Sequence, residues 1–401
     1  MEHYFVYIAL VMLLYCMFSA KISAIGVTMP MVFLALGIAF GLGDSALNLD
    51  TATAFHDLAE ITLALLLFAD ATSLHREALM KIGQRTRRML FIGLPLAIVF
   101  GAMINLALLP DWPFWEACLL AALLAPTDAA LGQSIQANTR IPQTLRDTMN
   151  AESGLNDGLS LPFVLFFAGM AVGDGGSHEH SSGLLSLLAT QIGIGAAVGL
   201  LGGYAIGRMR NFVLARNLME DSLSRVATLV VVAFVFFAAE HAGGNSFVAV
   251  FVAGIAYSNA ANSSVQHARH FLEGDGQFFA MFSFFFIGAL FVPEALAYLT
   301  PVGLLVVVLS LVVVRPLAIW LSLIGTKTSA SERLFYGWFG PRGLATALFA
   351  VFVAIDFKGI EMIGGILVIA FTTVLVSAFV HGISAKYAPD LFRFGSGEES
   401  R

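Results

Sequence analysis

Thirteen apolar runs of about 20 residues, separated by short polar breaks, take up almost the whole chain. Each is long enough to cross a hydrocarbon core about 30 Å thick as a helix. At that depth the backbone finds no water, so helices that satisfy their own hydrogen bonds are the fold open to such runs. The runs cover about 4–20, 24–43, 55–75, 88–109, 113–135, 144–172, 184–207, 221–239, 245–260, 270–292, 298–324, 334–355 and 360–385. Only 12% of the 401 residues are charged, against about 25% in a soluble domain. The chain is expected to be an all-α polytopic membrane protein forming one transmembrane domain over 1–401, with no nucleic-acid partner.

Positive charge sorts across these runs. With the N-terminus outside, the inner loops and C-terminal segment collect 18 of the 21 Lys and Arg residues, among them Lys21, Arg76, Lys81, Arg140, Arg208, Arg269, Lys327 and Lys386. Only Lys358 falls outside, and Arg315 and Arg342 lie within runs. Cytoplasmic loops carry the excess of Lys and Arg, and a miscounted span would mix the sides. The sorting supports thirteen spans with the C-terminus cytoplasmic. The first run has no basic stretch before it and is expected to be a retained span, not a signal peptide.

Helix breakers fall at two telling places. Pro126 interrupts the fifth run, AALLAPTDAALG, and Gly340, Pro341 and Gly343 interrupt the twelfth, FYGWFGPRGLATALF. If runs 1–6 and 8–13 are inverted-topology repeats joined by run 7, the breaks occupy corresponding helices, and paired broken helices mark the binding site of secondary transporters. The repeat rests on run count and break position, because the halves share no residue-level identity.

Ionisable residues concentrate at the same place. Asp128, Glu152 and Asp157 lie inside apolar surroundings between Ala121 and Pro162, where each charge costs at least about 2.5 kcal/mol. Crossed broken helices leave partial charges at their ends, which Asp128 after the first break and Arg342 within the second are suited to compensate. On the sixth run, residues four apart share a face. Ser153 pairs with Asp157 and Glu152 with Asn156, while Glu152 and Asp157 diverge by about 140°. Asp157 lies roughly 20 Å from the inner end of its helix, near mid-membrane. Glu152 lies nearer the inner face, at the depth of Arg315, so these two are paired as a structural ion pair and Asp157 is left for a transported ion. Oxygens of Asp157, Ser153, the main chain at Thr127 and Asp128, and Asp70 of the third run suit a hard monovalent cation. Desolvation favours the neutral form of a carboxyl group, so a half-dry acid holds a proton or a cation, not both. No catalytic residue and no cofactor are expected, only a transported cation and a proton.

At these residues the chain resembles the NhaP-type monovalent cation:proton antiporters, relatives of the animal Na+/H+ exchangers. The likeness lies in Thr127-Asp128, NAESGLNDG from Asn150 to Gly158, GNSFVAVFVAGI from Gly244, VVVRP from Val312 and GPRGLATAL from Gly340. It covers nearly the whole chain in order. It implies an NhaA-like antiporter fold with crossed broken helices in spans 5 and 12, and a homodimer whose core domain moves like an elevator against a dimerisation domain. It also implies that Na+, Li+ or K+ is bound by Asp157 with Ser153, Thr127, Asp128 and Asn156 around it. Asn156 in place of a second Asp resembles the electroneutral branch, one H+ for one Na+. The family motif around Asp70 is looser. A bacterial or archaeal plasma membrane, with lipid around it, is the expected setting. The animal members carry long regulatory tails, whereas 386–401 is short, so regulation through a tail is not expected.

Two other classes share some of these features. Gly41-Leu42-Gly43-Asp44 matches the GxGD pattern of intramembrane aspartyl proteases but has no Tyr-Asp partner upstream. A passive cation channel would align acidic rings or a carbonyl filter along an open path, whereas this chain shows matched breaks with opposite charges. His178 and His180 read as part of a solvated loop, and Cys16 and Cys118 as buried inert thiols.

Overall fold

The computed structural model describes residues 2–41, 49–72, 83–174, 179–261 and 265–392. Asp44 with most of its tetrapeptide, the basic residues Arg76 and Lys81, and His178 lie outside them. Among the described residues the chain is all helix and turn.

The helices are α1 (Glu2–Ala24), α2 (Met29–Gly41), α3 (Leu49–Thr72), α4 (Gln84–Leu108), α5 (Phe114–Leu123), α6 (Ala129–Ala137), α7 (Gln143–Asp174) and α8 (Glu179–Ala215). After them come α9 (Asp221–His241), α10 (Ser246–Ala260), α11 (265–298), α12 (Pro301–Ser322), α13 (Ala330–Trp338), α14 (Leu344–Asp356) and α15 (Ile363–Leu391). A helix occupies each apolar run, and the fifth and twelfth hold the interrupted pairs α5/α6 and α13/α14. Starts are set by local capping. The Asn245 side chain accepts the Val248 N–H at 3.0 Å, Thr300 accepts that of Gly303, and Ser329 and Glu332 close a capping box.

Among the described residues, seven helices are long and apolar enough to cross a membrane, and α2, α5, α10 and α14 are shorter apolar helices. Large apolar side chains face outward on α1 (Val6, Leu10, Met17), α8 (Leu200, Leu201, Phe212) and α9 (Val230, Phe234, Phe237), as expected of surfaces against lipid. This is an integral membrane protein. The expectation of two buried thiols is corrected: Cys118 is buried but Cys16 is exposed. The first run is apolar all round, so composition did not show that α1 buries Ile8, Met12 and Tyr15 and leaves Cys16 on its exposed side.

Helices α4, α11 and α12 each widen into a five-residue π-helical stretch, Met89–Gly93, Ile287–Phe291 and Ser310–Val314. Each stretch is followed two residues on by a proline, Pro95, Pro293 or Pro316. Proline gives no N–H and its ring strikes the carbonyl four residues back, and a wider turn relieves both. The third stretch ends just before Arg315.

Two groups of helices result. α2, α3, α8, α9, α10 and α11 pack largely on one another, while α4, α5, α6, α7, α12, α13, α14 and α15 surround the two breaks. The groups meet mainly where α7 lies against α3 and α8, α14 against α3, and the end of α11 against α15. The first group is built on close backbone approach. Gly195, Gly199 and Gly203 of α8 face α10 so tightly that a Cβ would fall 2.5, 2.2 and 2.4 Å from the carbonyl oxygens of Asn245, Ala249 and Ala253. Small residues spaced by four let membrane helices pack backbone to backbone. Gly203→Leu is expected to lower thermal stability sharply, on the order of the 1–3 kcal/mol of an overpacked core. Gly193→Ala, with nothing within 4 Å of the added carbon, is expected to leave it unchanged. Unfolding followed by size-exclusion chromatography in detergent would read the difference.

Candidate functional site

Pro126 ends α5, whose last helical residue is Leu123, and α6 resumes at Ala129; the Gly340-Pro341 step separates α13 from α14 in the same way. The two breaks touch, for the Asp128 N–H donates to the Pro341 carbonyl at 2.7 Å. The Asp128 carboxylate then serves two helices. One oxygen accepts the Leu344 N–H at 2.7 Å and the other the Leu131 N–H at 3.3 Å, so one acid caps the positive N-terminal ends of both α14 and α6. A Cβ on Gly343 would lie 1.7 Å from that carboxylate. Gly343→Ala is therefore expected to displace Asp128, uncap both helix ends and lower the melting temperature, checked by thermal unfolding in detergent.

Arg342 answers the opposite polarity. Its guanidinium donates to the carbonyls of Ala125 and Pro126, just past the end of α5, where the dipole leaves unpaired oxygens. The side chain is 1% exposed and, with Asn105 and Ser310, lines a cavity of about 10 Å³, about the room one water needs.

A second polar layer comes from α7. Glu152 meets the Arg315 guanidinium through both oxygens at 3.1 to 3.2 Å, and their side chains are 3% and 5% exposed. Asn156 donates its amide to Glu152 at 3.3 Å and to the Thr127 hydroxyl at 3.4 Å. The Thr127 oxygen lies 3.1 Å from the Ser153 hydroxyl. Thr127, Glu152, Ser153, Asn156 and Arg315 thus form one connected cluster joining the first break to α7 and α12.

Asp157 stands apart on the helix face beyond Glu152. It is buried, and its Oδ1 has no hydrogen-bond partner among the described residues; the same is true of Asn156 Oδ1. Among the described residues, the acids Asp70, Asp128 and Glu152 and the cation Arg342 act on Asp157. Asp70 arrives from α3, partly exposed, with an oxygen 3.4 Å from where a Cβ on Gly154 would stand. On the other side the Phe251 ring of α10 closes over Gly158.

Three participants escaped the sequence reading. Ser377 and His381 of α15 lie against the second break: the Ser377 hydroxyl accepts the Arg342 N–H at 2.6 Å and lies 2.9 Å from His381 Nδ1. Their signal was a pair of polar residues four apart in the last apolar run. Glu116, 1% exposed, accepts the N–H groups of Glu361 and Met362 at 2.9 and 2.8 Å and ties α5 to the start of α15. It sits at the edge of its run, where an acid looks solvated.

Among the described residues, two helix breaks meet beside buried acids, the arrangement in which secondary transporters form their binding sites. The chain belongs to the sodium/hydrogen exchanger family, whose transmembrane family model matches residues 7–388. The K(+)/H(+) antiporter NhaP2 of Shewanella sp. (strain MR-4) is 26% identical over 379 residues, covering 92% of this chain and 63% of that protein. The K(+)/H(+) antiporter NhaP of Alkalimonas amylolytica is 27% identical over 343 residues, covering 82% and 57%. The chain therefore spans under two thirds of the length of these relatives. The solved structure of the sodium proton antiporter MjNhaP1 from Methanocaldococcus jannaschii superposes with a TM-score of 0.76 at 23% identity, over 94% of this chain and 98% of that one, and shares the fold.

Proposed function

We propose that the chain exchanges an alkali cation for a proton across the membrane, the two competing for the Asp157 carboxylate. What carries this reading is the inequality of the acids at the crossing. Glu152 is held by Arg315 and Asp128 by two backbone amides, whereas Asp157 has a buried oxygen without a fixed partner. A carboxylate buried in that way takes its countercharge from something mobile. Asp157 is the ligand that titrates, Ser153, Thr127 and Asn156 supply neutral oxygens beside it, Asp128 and Arg342 settle the helix ends, and Asp70 lines the approach. One unpaired carboxylate carries one charge, which favours an electroneutral one-for-one exchange. Relatives named as K+/H+ and Na+/H+ antiporters make Na+ and K+ the first cations to test, with Li+ third.

Thirteen spans in two inverted repeats, the N-terminus outside and the C-terminus cytoplasmic, complete this reading, in the plasma membrane of a bacterium or archaeon. The glycine-packed group of helices fits a stationary, dimer-forming part, and the group around the breaks fits the part that moves, elevator-like, with the ion.

The test is reconstitution into proteoliposomes with an internal pH dye, the membrane potential clamped, and each cation added in turn. Cation-dependent proton movement supports exchange, and cation flux without it would overturn the proposal in favour of a channel. Competition has its own signature. As pH rises, the apparent KM for the cation is expected to fall toward a plateau while the maximal rate holds, and a KM indifferent to pH would separate the proton from the cation site.

A further inference from the structure

α15 passes the second break with Ser377, His381 and Ser384 on one face, at spacings of four and three that stack side chains along a helix. All three engage the interrupted helix. The Ser377 hydroxyl accepts the Arg342 N–H at 2.6 Å. His381 Nδ1 lies 2.9 Å from that hydroxyl and 3.1 Å from the Ser377 carbonyl. The His381 ring packs on Trp338, centroids 5.3 Å apart. The Trp338 indole N–H donates to Ser384 at 3.0 Å. Trp338 is the last residue of α13 and Arg342 stands just before α14, so the stripe bridges the gap from end to end.

His381 Nδ1 faces two Ser377 oxygens, a hydroxyl that can donate to it and a carbonyl that can only accept, and the tautomer assigned here is the one that serves the hydroxyl. The Ser377 oxygen already accepts from Arg342, and its single hydrogen is satisfied by His381 Nδ1 when that nitrogen is an acceptor. The ring then carries its proton on Nε2. A second proton would turn Nδ1 into a donor beside two guanidinium groups, Arg342 and Arg315, which both act on His381.

We propose that His381, as a neutral imidazole acting through Ser377, is a positioning residue for exchange: it fixes the Arg342 backbone, and with it the guanidinium that settles the end of α5 beside Thr127. This rests on Asp157 being the exchange site. The Arg342 guanidinium holds the carbonyls of Ala125 and Pro126, and the next residue, Thr127, places its hydroxyl against Ser153 in the cation cluster. Loosening it unsettles Thr127 and weakens cation binding, so the proton at Asp157 meets a weaker competitor.

The full chain in proteoliposomes tests this with His381→Leu, His381→Asn, Ser377→Ala and the double variant His381→Leu/Ser377→Ala. His381→Leu and Ser377→Ala are each expected to raise the cation KM roughly fivefold to tenfold, the size of one lost hydrogen bond. Their pH profiles shift to the alkaline side and kcat changes little. The double variant is expected to be no worse than Ser377→Ala alone, because the two act in series. His381→Asn, whose carbonyl stands near the place of Nδ1, restores the parent KM. Unchanged KM and pH profile in His381→Leu, or His381→Asn as impaired as His381→Leu, would overturn the assignment. Should His381→Leu not fold, Ser377→Ala is read with ¹⁵N-histidine spectra of the parent chain. A neutral ring protonated on Nε2 is expected, and an Nδ1–H or doubly protonated ring overturns it. A parent chain that moves no protons in response to any cation brings down the exchange reading instead, and the spectra still decide the role of His381.

Discussion

Asp157→Asn is expected to eliminate cation-driven proton movement and to leave the folded chain as stable as the parent or more so. The amide has no titrating proton, and losing a charged contact of about 3 kcal/mol weakens cation binding roughly a hundredfold. The stability half separates a transport carboxylate from a structural one. An acid that holds the fold through hydrogen bonds lowers the melting temperature when it is replaced, but Asp157 Oδ1 is buried without a partner and three other acids act on it. Removing its charge relieves repulsion and strands nothing. Exchange measured beside thermal unfolding of the same preparation decides the matter: retained exchange removes Asp157 from the site, and a large fall in melting temperature makes it structural.

The architecture was legible where the signal is local. Continuous apolar runs specify helices at bilayer depth, and Pro126 and the Gly340-Pro341-Gly343 cluster interrupt theirs because of what proline and glycine do to a backbone. Glu152 and Arg315 were readable as neighbours because depth along a helix follows from residue number and opposite charges at one depth have few other partners. What the sequence withheld depends on side chains answering distant main-chain atoms. Asp128 spends its two oxygens on amides of different helices, and Ser377 accepts an N–H from a break 35 residues away; neither donor shows as a charge or a pattern. The inward faces of α1 were hidden because every face is apolar. The glycine repeat of α8 was visible, yet its partner α10 was not, since a stripe of small residues names no neighbour. Pro95, Pro293 and Pro316 were visible too, but whether a proline kinks a helix or widens a turn is settled by the packing around it.

Glu152→Ala is expected to cost the protein much of its stability while changing the cation KM by less than it changes the melting temperature would suggest. Breaking a buried ion pair from one side costs on the order of 3–5 kcal/mol, because the other charge stays behind, dry and unanswered. Here the abandoned group is Arg315, whose Nε lies 1.5 Å from where a Cβ on Gly340 would stand, so its guanidinium lies over the second break with little freedom to swing toward water. No other acid takes over. Asp157 sits about 140° around α7, and Asp128 is engaged by the ends of α6 and α14. The stranded charge also acts on Arg342, setting two guanidinium groups against each other. Arg315→Met alone is expected to destabilise comparably by stranding Glu152, whereas the double variant Glu152→Leu/Arg315→Met is expected to recover most of the loss, because replacing both members of a buried pair with apolar side chains leaves no orphaned charge. Thermal unfolding of the three variants closes the cycle. A Glu152→Ala protein that melts with the parent would show that the pair holds nothing together, and a double variant no better than either single would place the cost in packing, not in charge.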